Sequence, residues 1–211
     1  FARLLGRPGE GYERLEEKAT RGFQKFWNAE RQCCYDTIDT PSGEKDAALR
    51  PNQIFALSLP VSPLSPMQQK AVVDIVAAQL LTSHGLRSQG PFEPGYKGDY
   101  GGGPRERDSA YHQGTVWGWL LGPFALAHYR VYQDAALGQS FLEPLGKTIC
   151  SGGLGTLGEI FTGDAPFAPV GAIAQAWTVA EVIRAWQILS GAAASASGRT
   201  AERSQRRGAG S

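Results

Sequence analysis

Residues 116–127 read VWGWLLGPFALA, without one charged side chain. A helix that is apolar on nearly every side is stable only when other layers cover it. The run is shorter than the roughly 18 residues a membrane-spanning helix needs. It also contains Pro123 and is flanked by His112, Gln113 and His128, so burial inside a protein core is the reading. A second segment, 172–189, spreads Ile173, Trp177, Val179, Ile183 and Trp186 around most of its circumference. Two such helices require neighbouring layers on both sides, which constrains the chain to a multi-helix core.

The remaining pattern supplies those layers. Residues 12–28 place Tyr12, Leu15, Ala19, Phe23, Phe26 and Trp27 at helical spacing, with Glu13, Arg14, Glu16, Glu17 and Lys18 opposite. Pro51 opens a short helix over 52–57. Ser65 reads as an N-cap, with Pro66 at the first helical position and Gln68 completing a capping box, for a helix to about 81. Further helices are predicted over 112–132 and 135–149, and no period-2 strand stands out. The segments between them are long, as 27 glycines and 13 prolines suggest: a turn-rich stretch at 30–46, a Gly- and charge-rich loop at 87–110, and a loop at 151–171. Loops of that length in a compact domain are functional or disordered. The class is all-α, with six or seven helices. Residues 191–211 lack large apolar side chains and are expected to be a disordered basic tail. Its four arginines against Glu202 hold +3 of the formal charge, leaving −2 on 1–190 and +1 overall.

Several chemistries lack support. The near-neutral balance does not suggest nucleic acid as a partner, nor does any segment suggest a membrane. A cytoplasmic location is the default. Three cysteines, two of them adjacent at Cys33 and Cys34, make no disulfide framework and read as reduced, buried thiols. GLGTLG at 153–158 matches a dinucleotide fingerprint in letters only. A helix precedes it and the prolines of EIFTGDAPFAP follow it, where a strand and a helix are required. His84, His112 and His128 stand singly, so no metal is expected, and no cofactor. With 211 residues starting at Phe1, the chain is expected to be part of a longer protein.

Polar and aromatic groups do concentrate at helix starts and in the long loops. Arg50, Asn52 and Gln53 stand at one helix start. Arg105, Glu106, Arg107 and Asp108 run into Tyr111, His112, Gln113 and Trp117 at another. Glu159 and Asp164 precede Gln175 and Trp177. Singly, such charges read as ion pairs and such tryptophans as core. Together they offer what a sugar cleft uses: forked and amide hydrogen bonds to hydroxyls, and aromatic faces for the ring's C–H face.

RPNQIFALSLP (50–60), GGGPRERDSAYHQGTVWGWLLGPF (101–124) and GEIFTGDAPFAPVGAIAQAWTVAEVIRAW (158–186) resemble three motifs of the glycogen-debranching, amylo-α-1,6-glucosidase family of bacteria and archaea. The resemblance covers about 10–190, in order. It implies an (α/α)6 six-hairpin barrel with its active site at one end of the inner ring. Six or seven helices are half of such a barrel, so the chain is expected to be its C-terminal half, lacking the N-terminal half as a partner. The implied reaction is inverting hydrolysis of α-1,6-linked glucose at branch points of glycogen or branched maltooligosaccharide, an α-glucan. Glu159 is the implied general base.

The family's general acid is an aspartate in a Trp-Met-Asp-like motif. The single methionine here is Met67, between Pro66 and Gln68, so that motif is absent and Asp108 is the nearest local substitute. The isolated chain is therefore expected to be inactive. Implied substrate contacts are Arg50, Gln53, Tyr111, His112, Gln113, Trp117, Gln175 and Trp177, with Arg87 a weaker candidate. Gly118 stands where a proline is expected and should loosen a helix start. Thr162 replaces an aspartate and Phe167 a polar residue, and both bear on the orientation of Glu159. A non-catalytic glycan-binding remnant and a glucoamylase-like exo-glucosidase remain the alternatives.

Overall fold

The computed structural model describes residues 2–208, with Arg3 and residues 196–208 described by backbone alone. Residues 209–211, the end of the expected tail, lie outside the described residues. Seven α-helices appear among them: α1 (Glu10–Phe23), α2 (Phe55–Ser58), α3 (Pro66–Gln79), α4 (Pro104–Ala110), α5 (Leu121–Tyr132), α6 (Ala135–Lys147) and α7 (Ala176–Gly208). The capping box forms as the sequence dictates. Ser65 Oγ accepts from the Gln68 N–H, and Gln68 Oε1 accepts from the Ser65 N–H at 2.9 Å.

α5 explains the core. Residues 121–128 are all buried. One side of α5 (Phe124, Ala127) joins a core with Ile54, Leu57, Val72, Val73, Val76 and Leu80, from the α2 and α3 side. Its other side (Leu121, Ala125) joins Leu142, Leu145, Ala185 and Leu189 of α6 and α7. The helix is apolar all round because it lies between two layers. Each fully buried leucine or phenylalanine contributes about 1.5–3 kcal/mol by leaving water. The other all-apolar segment behaves differently. α7 begins only at Ala176 and buries one stripe, Thr178, Ala185 and Leu189, at i, i+7 and i+11, while Ile173, Trp177, Ile183 and Trp186 stay exposed. α1 buries no residue at all, and its Tyr12 and Leu15 face solvent.

The helix expected over 112–132 does not form as one element; only Leu121–Tyr132 is α-helical. Gly114 takes φ 148°, and a Cβ there would meet the Lys97 carbonyl oxygen at 2.6 Å. The chain then turns into β4 (Val116–Trp117) and a 3-10 turn (Gly118–Leu120) before α5 starts. β4 is central in a four-stranded antiparallel sheet with β3 (Leu86–Arg87), β5 (Ile160–Phe161) and β6 (Pro169–Val170). Two further strands, β1 (Trp27–Asn28) and β2 (Cys33–Cys34), pair with each other in the segment between α1 and α2. All six are two residues long, too short for alternation to register in a sequence. The loop at 87–110 likewise contains α4. Helical backbone also continues past 190 to Gly208, over Ala192, Ala193, Ala194, Ala196 and Ala201, the residue type with the highest helix propensity.

Candidate active site

The small sheet assembles the site. Leu86 pairs with Trp117, and Trp117 with Ile160, so segments 31 and 43 positions apart meet at the strand ends, with Glu159 immediately before β5. The backbone of Glu159 is held on both sides. Its N–H donates to the Ala172 carbonyl at 3.0 Å, and its carbonyl accepts from the Gly118 N–H at 3.3 Å. The carboxylate is held too. Oε2 accepts from the Ala172 N–H at 2.9 Å, and Oε1 accepts from the Tyr111 hydroxyl. Gly171 makes this approach possible. Its φ is 71°, and a Cβ there would lie 2.6 Å from Oε2. Burial, then the hydrogen bond to Glu159, pushes the Tyr111 phenol up to about 12, so it stays protonated and remains a donor.

Beside this pair opens a cleft of ≈ 480 Å³ lined by Asp36, Asn52, Arg50, Ser88, His112, Gln113, Trp117, Trp119 and Trp177, among others. Arg50 is its fixed cation. The guanidinium donates to the His112 carbonyl at 2.7 Å, the Ser88 carbonyl at 3.2 Å and Gln113 Oε1 at 3.1 Å, and its Nε lies 3.7 Å from Asp36. His112 lies flat on Trp117, centroids 5.0 Å apart and planes within 5°. Burial first, and then Arg50, lowers the imidazole's pKa, with Glu159 opposing, so at pH 7 the ring is neutral and can both donate and accept. Phe55, Trp119 and Trp177 form a stacked ladder with spacings of 5.6 and 5.0 Å, and the exposed Trp177 ends it. Glu159 is not itself among the residues lining this cleft. Tyr111 connects them, its ring edge-on to Trp117 at 4.9 Å and to His112 at 4.8 Å.

Of the predicted site residues, Arg50, His112, Gln113, Trp117 and Trp177 share this cleft, with Tyr111 and Glu159 adjoining. Four do not join it. Gln53 is buried, with Oε1 accepting from the Cys34 N–H and Nε2 donating to the Arg50 carbonyl. Arg87 donates to the Gly163 and Gln79 carbonyls and covers Phe167. Asp108 is exposed on α4. Gln175 caps α7, its Oε1 accepting from the Trp177 N–H at 3.3 Å. Asp164 accepts from the Tyr96 hydroxyl, tying two loops together. The sequence departures also resolve. Gly118 does not loosen a helix start: its N–H holds the Glu159 carbonyl, and a Cβ would meet Thr178 at 2.9 Å. The Thr162 hydroxyl bonds backbone at Asp164 and Ala168, and Phe167 packs on His84, so neither touches Glu159.

Asp36, Ser88, Trp119 and the Gly171–Ala172 anchor escaped the sequence reading. Trp119 was legible as an aromatic two positions from Trp117. Asp36 and Ala172 carry no local signal, since their roles depend on the register of distant segments. A second cleft of ≈ 530 Å³, lined by His84, Phe161, Phe167 and Gly171 among others, holds none of the predicted contacts. Among the described residues, no group of three His, Cys, Asp or Glu could hold a metal, and no helix is long and apolar enough to cross a membrane.

Residues 2–184 match the family model described as amylo-alpha-1,6-glucosidase. No curated protein matches the chain in sequence. Among solved structures, the GH63 mannosylglycerate hydrolase from Thermus thermophilus superposes in its Tris complex with TM-score 0.63 at 15% identity, over 89% of this chain and 41% of that one. Its glucose complex gives TM-score 0.63 at 16% identity, over 89% and 43%. At such identities the likeness shows fold alone. The chain spans about two fifths of those proteins' length, and its fold is half of an all-α six-hairpin glycosidase barrel.

Proposed function

The chain belongs to the amylo-alpha-1,6-glucosidase family, and from that premise we propose that it supplies the general base and one wall of the sugar site of an inverting glycosidase acting on α-1,6-linked glucose at α-glucan branch points. The observation that carries this reading is the Glu159 carboxylate, held by Tyr111 and Ala172 beside an aromatic cleft. Each carboxylate oxygen has two lone-pair directions, so one donor on each leaves room for a water. In the reaction, Glu159 takes a proton from that water while the water oxygen bonds to the anomeric carbon. The bond from that carbon to the glycosidic oxygen breaks, and the leaving oxygen takes a proton from a carboxylic acid on the opposite face.

That acid belongs, in this reading, to the other half of the barrel, because Asp108 is exposed on α4 and bonds to none of the site groups. Trp177 and the His112–Trp117 pair offer faces to sugar rings, and Gln113, Asn52 and His112 offer hydrogen bonds to hydroxyls. Arg50, already bonded to four groups, shapes the cleft more than it binds. The test is an α-1,6-glucosidase assay. The isolated chain should release no glucose, and Glu159→Gln in the complete gene product should lower kcat by about 10²–10⁴-fold, the usual worth of a general base. Hydrolysis by the isolated chain, or full activity in the variant, refutes the assignment. Maltooligosaccharide binding without turnover by the complete product would instead favour a non-catalytic glycan-binding protein.

A further inference from the structure

We infer that Tyr111 is a positioning residue for Glu159 rather than a sugar contact: its hydroxyl fixes Oε1 while the Ala172 N–H fixes Oε2. This deepens, and rests on, the reading of Glu159 as the base. A carboxylate is a terminal rotor with a broad torsional preference, so an unrestrained base spends much of its time misaimed. Donors on both oxygens fix the plane of the group. The tyrosine is itself immobilised. Its ring packs against Tyr100 at 5.8 Å, His112 at 4.8 Å and Trp117 at 4.9 Å. Its carbonyl accepts from Thr115 Oγ1 at 2.7 Å and Trp117 Nε1 at 3.3 Å. The cleft's aromatic wall and the base are thereby built on one rigid unit.

The other jaw of the clamp is backbone, and it depends on Gly171. A methyl group there would lie 2.6 Å from Oε2 and 2.7 Å from Ile160 Cγ1. Any side chain at that position pushes the carboxylate off its axis or strains a backbone at φ 71°. The phenol holds its proton throughout and takes no part in the bond changes. Its effect is on aim, and an error of about 1 Å in a reacting group costs about 100-fold in rate.

Tyr111→Phe tests this, because it deletes the hydroxyl and keeps the ring contacts. In the complete gene product, kcat should fall about 10- to 100-fold with KM within about twofold. A raised KM with unchanged kcat would make the hydroxyl a sugar contact, and no change in either would make it idle; both overturn the inference. Gly171→Ala should reproduce the kcat loss with Tyr111 intact, and unchanged kcat there overturns the two-sided clamp. A third measurement needs no turnover. In the 211-residue chain, Glu159→Gln should bring the Tyr111 phenol titration down from about 12 toward its ordinary 10.0. Ultraviolet difference absorbance reads this, with Tyr111→Phe identifying the signal, and an unmoved titration denies the hydrogen bond. Full activity in Glu159→Gln would remove the base role, while the phenol titration would still report the contact, so the two claims fail separately.

Discussion

Environment, more than residue type, sets what the individual side chains of this protein can do. The thiols are the plainest case. Burial pushes Cys34 up to about 12, with Cys33 beside it adding to the effect, and burial raises Cys33 as well. Both are core residues, whereas Cys150 is exposed after α6, against the expectation that all three thiols are buried. The thiolate is the reactive form, so the adjacent pair should be inert. Iodoacetamide at neutral pH should alkylate Cys150 alone, and all three cysteines only after denaturation, as read by intact-mass spectrometry. Alkylation of Cys33 or Cys34 in the native chain would mean that the core around β2 opens easily. The same rule governs Gln53 and Arg87. Their types suit sugar hydroxyls, but backbone groups already occupy their polar atoms.

At the scale of elements, the crossing of α5 and α7 depends on a missing side chain. A Cβ at Gly122 would lie 2.5 Å from the backbone carbonyl oxygen of Glu181, which cannot move aside as a flexible side chain would. Gly122→Ala should therefore cost about 1–3 kcal/mol, as overpacking does. Gly146, in α6, has open space at the corresponding point, so Gly146→Ala should stabilise by about 0.5–1 kcal/mol through helix propensity alone. Urea denaturation of the two variants separates packing from propensity, and equal shifts in the same direction would refute the argument. Local chemistry made some elements legible: Ser65, Pro66 and Gln68 mark the start of α3 by their own hydrogen bonding. The run at 116–127 likewise announced a buried helix, although its first residues form β4 instead. Strand pairing decides that difference. Val116 and Trp117 satisfy their backbone against Arg87, Leu86, Phe161 and Ile160, partners that no window around 116 contains. Glu159, Tyr111 and Trp117 could be named from motifs, but the Ala172 anchor and the Asp36–Arg50 pair arise only from folding.

For the molecule as a whole, the distribution of apolar surface is the outstanding feature. α5 is covered on both sides, whereas α7 leaves Trp177 61%, Ile183 52%, Trp186 43% and Ile188 46% exposed, and α1 leaves Tyr12 and Leu15 open as well. Isolated apolar residues on a surface need no explanation, but several bulky ones on one helix mark a surface that a partner covers. The partner we propose is the other half of the barrel, which is also the proposed source of the general acid. Net charge is only +1, so little electrostatic repulsion opposes contact between copies. Alone, the chain should therefore self-associate through these helices. Light scattering coupled to size exclusion should give a mass that rises with protein concentration. Sulfate should strengthen the association, because excluded salts favour apolar burial, whereas an ion-pair interface would weaken with salt. Replacing Ile183 and Trp186 with glutamate should return the chain to a monomer at a modest cost in melting temperature, since about half of each residue is already exposed. A native chain that stays monomeric at high concentration would show that these side chains need no cover, and would remove the physical argument for a missing half-barrel seated against them.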